Sequence, residues 1–176
     1  MTCIVGLVDK GNIYIGGDSA GVAGLSVTVR ADEKVFINGP FIMGFTTSFR
    51  MGQLLRYKLN PPKQTVGTDD MKYMVTDFVD AVAKCFSDNG YGSKSSGGNF
   101  LVGYNNKLYC IDNDFQVGIS SQPFHAVGCG ADLALGAMYV SKDKKPEERI
   151  RAALEASAAF NGGVVAPFLI LKQNKS

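Results

Sequence analysis

Residues 2–19, TCIVGLVDKGNIYIGGDS, decide the fold. Two short runs rich in β-branched and aromatic residues, 3–8 and 13–17, flank the turn-forming cluster Asp9-Lys10-Gly11-Asn12, so the chain opens on a β-hairpin. The same signals recur outward from it. Residues 26–30, 34–37 and 41–45 read as further strands, the last two joined through Asn38-Gly39-Pro40, whereas the small residues 19–24 read as a flexible connection. The first quarter of the chain is therefore sheet.

Beyond Ser48 the period changes. Met51, Leu54, Leu55 and Leu59 recur at helical spacing over 49–59, until Asn60-Pro61-Pro62 ends the pattern. Thr68 is placed to cap a second helix, with Asp69 and Asp70 at its positive end. Met71, Met74, Val75, Phe78, Val82, Cys85 and Phe86 form its buried stripe, read as core packing. A glycine- and serine-rich loop at 90–98 leads to a hairpin of 100–104 and 107–111 across Asn105-Asn106. Gly128-Cys129-Gly130 ends a short strand, 131–140 and 146–160 read as helices, and 164–171 reads as a closing strand. The order of strands, two helices, strands, two helices and one strand predicts an α+β fold, in which helix pairs cover the opposite faces of two stacked antiparallel sheets. With no internal repeat or linker, residues 1–176 are expected to form a single domain.

Composition narrows the chemistry. Hydrophobic residues make up 45% and charged residues 19% of the chain, a globular balance. The formal charge of +2, with no block of five like charges, gives no reason to expect a nucleic-acid partner. His125 is the single histidine, which rules out a multi-histidine metal cage. Cysteines 3, 85, 110 and 129 form no CxxC pair, so reduced thiols and a cytoplasmic location are expected. The first ten residues lack the basic leader and cleavage site of a signal peptide, and no apolar run is long enough to span a membrane. Neither a metal nor a cofactor is expected: Gly128-Cys129-Gly130 is followed by Leu133 where a dinucleotide loop needs glycine, and 93–98 lacks the lysine spacing of a phosphate loop.

The amino terminus carries a sharper signal. Thr2 follows Met1 and is small enough to permit removal of the initiator methionine. A terminal threonine holds nucleophile and base in one residue, because its free α-amine, with a reference pKa of roughly 7.7–8.0, accepts the hydroxyl proton near neutral pH. Such a site needs a cation to stabilise the ionising hydroxyl and a carboxylate to hold that cation, and Lys34 and Asp18 are the candidates.

These segments resemble proteasome β-type subunits and the related bacterial ATP-dependent peptidase ring, all amino-terminal-nucleophile hydrolases. The resemblance covers most of the chain. It is carried by Thr2-Cys3-Ile4-Val5-Gly6, Tyr14-Ile15-Gly16-Gly17-Asp18-Ser19 and Lys34-Val35, with Thr2, Asp18 and Lys34 at successive intervals of 16 residues, the register of the family's threonine, aspartate and lysine. It implies a four-layer αββα sandwich, an endopeptidase acting on peptides or unfolded proteins, a homo-oligomeric ring, and a possible ATPase unfoldase as partner.

The resemblance also implies residue roles. Thr47, in Met43-Gly44-Phe45-Thr46-Thr47-Ser48, matches a glycine whose amide supplies the oxyanion hole, and Cys129 matches a serine that hydrogen-bonds near the terminal amine. Asn161-Gly162-Gly163 matches the family's Ser-Gly-Gly, while Ala158 stands where an aspartate usually supports the site. Positions matching the specificity pocket are Gly21, Asp32, Phe36 and Phe45, with the alternative that Asp32 belongs to a solvated turn and both rings pack the core. Two other readings stand beside the peptidase: a small-molecule amide hydrolase of the same fold, and an inactive shell subunit.

Overall fold

The structure, a computed structural model, describes residues 1–92 and 97–174, so the readings placed on 93–96 lie outside it. The opening hairpin forms as its sequence dictates. Strands β1 (Cys3–Asp9) and β2 (Asn12–Gly17) pair antiparallel with Asp9 opposite Asn12, leaving Lys10 and Gly11 as a two-residue turn. Both turn residues have positive φ (48° and 80°), the geometry that matches the twist of the flanking strands. β10 (Phe124–Gly128) pairs with the other edge of β1, and β11 (Leu169–Gln173) with the other edge of β2, giving a four-stranded antiparallel sheet in the order β10-β1-β2-β11.

The second sheet runs β5 (Val35–Asn38), β6 (Phe41–Phe45), β7 (Phe100–Tyr104), β8 (Lys107–Ile111) and β9 (Val117–Gly118), again all antiparallel. Period-2 alternation assigns each strand's side chains to two layers. Ile4, Ile13, Ile15, Val35, Ile42, Leu101 and Leu108 point between the sheets and form the central core. Cys3, Val5, Leu7 and Tyr14 point the other way, against α4 (Ala131–Val140) and α5 (Pro146–Phe160). Phe41, Met43, Phe45, Phe100, Val102 and Tyr109 pack the outer face of the second sheet against the helices that follow β6. The result is the expected αββα sandwich.

Those helices are α1 (Phe49–Tyr57), capped by the Ser48 side chain accepting from Arg50 N, then α2 (Asp70–Tyr73), a π-helical turn over Met74–Phe78, and α3 (Val79–Asp88). Several expectations are corrected here. Asp69, not Thr68, caps α2, accepting from Met71 N and Lys72 N; its carboxylate meets the positive helix end more strongly than a hydroxyl. The π turn inserts an extra residue into the helical period, which rotates Val75 out of the buried stripe to 42% exposure. Residues 19–24 are not a loose connection: Ala20–Ala23 is a strand, β3, paired with β4 (Ser26–Val29) as a separate two-stranded ribbon. The last strand starts at Leu169 rather than 164, because residues 164–167 stay off the sheet and instead meet the end of β2, with Ser19 donating to Val165 O and Pro167 O.

Small residues set the distance between layers. A side chain on Gly17 or Gly44 would collide with Ile4 and Val35, so at this end of the sandwich the two sheets approach closely. No helix among the described residues is long and apolar enough to cross a membrane.

Candidate active site

Thr2 immediately precedes β1, the central strand of its sheet, and its neighbours follow from strand pairing. Gly128 of β10 lies opposite Cys3 and Gly17 of β2 opposite Ile4, so Cys129 and Asp18, each one residue further on, flank Thr2 from either side. Lys34 and Thr47 come from the facing sheet, just before β5 and just after β6. Five residues spread over the chain thus converge at one end of the sandwich.

The centre of this cluster is a buried relay. Lys34 Nζ donates to Thr2 Oγ1 at 2.8 Å and to Asp18 Oδ1 at 2.9 Å. The two charged side chains are 1% and 0% exposed. Asp18 is held further by backbone N–H groups: Oδ1 accepts from Cys3 at 3.0 Å, and Oδ2 from Ala20 at 2.9 Å and Val165 at 3.3 Å. Burial lowers the pKa of Lys34, since removing an ammonium from water disfavours its charge, and the adjacent Asp18 carboxylate opposes that shift. Beside them Cys3 is inert: burial raises its thiol from 9.0 to about 11.

Cys129 lies on the other side of Thr2. Its Sγ accepts from Thr2 N at 3.2 Å, and Gly130 N donates to Thr2 O at 3.3 Å. Gly128 makes this approach possible: it has φ 102°, and any Cβ there would overlap the Thr2 carbonyl. The corner is anchored from α5 by Ser157 Oγ, which donates to Gly130 O at 2.9 Å. Thr2 itself is 4% exposed and its hydroxyl donates to the carbonyl of Met1, which sits over it at 58% exposure.

Thr47 departs from ordinary backbone. Its φ of 59° is left-handed, which costs a β-branched residue about 1–2 kcal/mol. The side chain is restrained by Asn99 N donating to Oγ1 at 3.2 Å, and Thr46 N and Oγ1 both bond Asn99 O. Among the described residues the Thr47 N–H makes no backbone hydrogen bond. It lines a cleft of about 520 Å³ together with Thr2, Lys34, Gly21, Asp32 and Phe45.

Of the four specificity positions, Gly21, Asp32 and Phe45 line the cleft, and Phe36 takes the core-packing alternative. Phe36 does not reach the cleft; it is 2% exposed and packs in the core beneath the second sheet, 6.4 Å from Phe45 ring to ring. Asp32 is not a free carboxylate, because Arg30 grips it with two hydrogen bonds of 2.6 Å and lies flat on Phe49, 3.8 Å from the ring centroid. That pair lowers the Asp32 pKa, keeping the carboxylate ionised, and the Arg30 guanidinium offsets the negative charge a basic substrate side chain would seek.

Ala158 packs against the α4–α5 core and brings no polar group to the site. Asn161 does: its Oδ1 accepts from Cys129 Sγ at 3.3 Å and its Nδ2 donates to Cys129 O at 2.7 Å. Sequence reasoning singled out Asn161-Gly162-Gly163 without giving Asn161 a partner. Val165, whose N–H reaches Asp18 across 147 positions, left no signal in the sequence. Among the described residues, no group of three or more His, Cys, Asp or Glu is placed to hold a metal ion.

Neither a family model nor a curated protein sequence matches the chain. Solved structures do. BPH from Thiobacillus denitrificans superposes with TM-score 0.83 at 20% identity over 99% of both chains, and its complex with epoxomicin gives 0.81 at 20% identity over 99% of this chain and 100% of that one. Eukaryotic HslV from Trypanosoma brucei gives 0.70 at 16% identity over 97% and 98%. A Gly-1 mutant of Anbu from Hyphomicrobium sp. strain MC1 gives 0.72 at 17% identity over 99% and 82%. These are proteasome-like amino-terminal-nucleophile hydrolases, and the chain has their fold across nearly its whole length.

Proposed function

We propose, with the proteasome-like fold as premise, that this chain is an amino-terminal threonine endopeptidase whose nucleophile is Thr2, freed by removal of Met1. The observation that carries the reading is the Lys34 ammonium, buried and bridging the Thr2 hydroxyl to the Asp18 carboxylate. A structural role does not require a buried cation aimed at a threonine hydroxyl, because burying both charges costs more than an apolar pair in the same volume.

In the first step Thr2 Oγ attacks the substrate carbonyl carbon while its proton passes to the Thr2 α-amine. Lys34 stabilises the developing alkoxide, and Asp18 keeps Lys34 charged and in place. The carbonyl oxygen becomes an oxyanion facing the Thr47 N–H. Collapse breaks the C–N bond, and the α-amine returns its proton to the leaving amine. Water then attacks the Thr2 ester by the same route, releasing the acyl product and restoring the hydroxyl. Substrates are peptides or unfolded proteins. We further propose a homo-oligomeric ring that keeps folded proteins from the open nucleophile, with an ATPase as the supplier of unfolded chains.

A second reading, an inactive shell subunit, is favoured by Ala158, which leaves the site without the carboxylate usual at that position. One experiment separates the two. Intact mass is recorded before and after incubation with epoxomicin, the compound bound to BPH in its complex. The peptidase reading expects a chain lacking Met1 that gains a stoichiometric adduct, and no adduct on Thr2→Ala. A demethionylated chain that takes no adduct and cleaves no fluorogenic peptide would refute it.

A further inference from the structure

The side-chain amide of Asn161, one residue past α5, is fixed from three directions. Oδ1 accepts from Gly163 N at 2.9 Å and from the Cys129 thiol at 3.3 Å, while Nδ2 donates to Cys129 O at 2.7 Å. Exchanging O and N would set two donors against each other at Gly163 and two acceptors against each other at Cys129, so the amide has one workable orientation. That orientation determines the thiol. A thiol has a single proton, and its other acceptor, Thr2 O, is further away at 3.5 Å. With the proton on Asn161, the sulfur presents only lone pairs to Thr2 N, which donates to it at 3.2 Å.

This matters for a terminal amine that acts as a base. Its lone pair must be free for the Thr2 hydroxyl proton, and a freely rotating thiol would donate S–H to that same lone pair. We infer that Asn161 is a positioning residue that turns the Cys129 S–H away from the Thr2 nitrogen, leaving the α-amine lone pair open to the Thr2 hydroxyl. The inference deepens the peptidase reading and rests on it. Cys3 and Lys34 are the buried titratable groups close enough to interact with Cys129, and the α-amine of mature Thr2 adds a third; none is altered by substitution at Asn161.

The test has two readouts. In the first, the S–H stretching band of Cys129 is isolated as the infrared difference between a protein and its Cys129→Ala counterpart. A thiol that donates to Oδ1 stretches at lower frequency than a free one, so Asn161→Ala moves the band upward. A residue that only secures the end of α5 would leave the band at its wild-type frequency. In the second, Asn161→Ala lowers kcat/KM on a fluorogenic peptide by about tenfold, with the acid limb of the pH profile displaced. In a Cys129→Ala background the same substitution adds nothing further. An S–H band unmoved by Asn161→Ala would overturn the inference. Absence of hydrolysis by demethionylated wild-type protein would instead refute the peptidase reading, and the orientation of the thiol would stand or fall on its stretching band alone.

Discussion

Removing either end of the Lys34–Asp18 pair abolishes the proposed chemistry, but the two losses differ in what they do to folding. Breaking a buried ion pair costs about 3–5 kcal/mol when the surviving charge is left uncompensated. Lys34→Met leaves a carboxylate that still accepts from Cys3, Ala20 and Val165 N–H groups, and the methionine fills most of the lysine's volume. Two charge-assisted hydrogen bonds are lost, to Thr2 Oγ1 and Asp18 Oδ1, and the cost of burying an ammonium disappears with them, for a net destabilisation of about 2 kcal/mol. Asp18→Ala leaves that ammonium with Thr2 Oγ1 as its remaining hydrogen-bond partner among the described residues, and strands three backbone donors. At about 1 kcal/mol per stranded donor, Asp18→Ala is expected to be less stable than Lys34→Met by about 3 kcal/mol. Urea unfolding at pH 7 and equal protomer concentration reads the difference in midpoint at constant slope. Equal losses, or a greater loss for Lys34→Met, would refute the view that the backbone holds the carboxylate independently of the lysine.

Three further outcomes are expected. Thr47→Gly relieves the left-handed φ but loses the Asn99 N–H bond, so stability changes by less than about 1 kcal/mol and peptide hydrolysis persists, because only the backbone N–H is used; loss of turnover would show that the side chain is required. Stability should fall on the alkaline side: burial raises Cys3 from 9.0 to about 11, so its contribution, about 3 kcal/mol, is present in full below pH 9 and lost as pH rises through about 11. Cys3→Ala flattens that limb in chemical unfolding, and an unchanged limb would rule out the assignment. Gly52→Ala sets a methyl group into the Phe45 ring, which lines the cleft, and is expected to cost about 1–3 kcal/mol and to raise KM more than it lowers kcat; a variant with wild-type Tm and KM would show that Phe45 moves freely.

What the sequence made legible was whatever repeats at short range. Alternation in β1, β2, β6 and β7 announced the two sheets, and the interval from Thr2 to Asp18 to Lys34 announced three residues that strand pairing then brings together. Less visible were features decided by partners far along the chain. Ala20–Ala23 has small residues with little β preference, and becomes a strand because β4 pairs with it. Val75 was misread because helical spacing carries no mark of a π turn. The Arg30–Asp32 grip depends on an aromatic platform at Phe49, 17 positions beyond Asp32, and Asn161 owes its role to the orientation of one amide. Residue identities set the ingredients there, and only the folded backbone sets the directions.

The ribbon of β3 and β4 gives the molecule two regimes of rigidity. Thr2, Asp18 and Lys34 are rooted at the strand ends of two stacked sheets, whereas Gly21, Val22, Thr28 and Val29, along one side of the cleft, belong to a hairpin of two four-residue strands paired to neither sheet, its tip residue Leu25 fully in solvent. A two-stranded ribbon is marginally stable by itself. Amide protons of β3 and β4 should therefore exchange by local opening, while those of β1 and β2 wait for global unfolding. In the proposed peptidase the reacting groups and the outer part of the cleft wall thus differ in rigidity and meet at Ala20, whose N–H holds Asp18, so substitutions further along the ribbon can redraw substrate preference while the reacting groups keep their places.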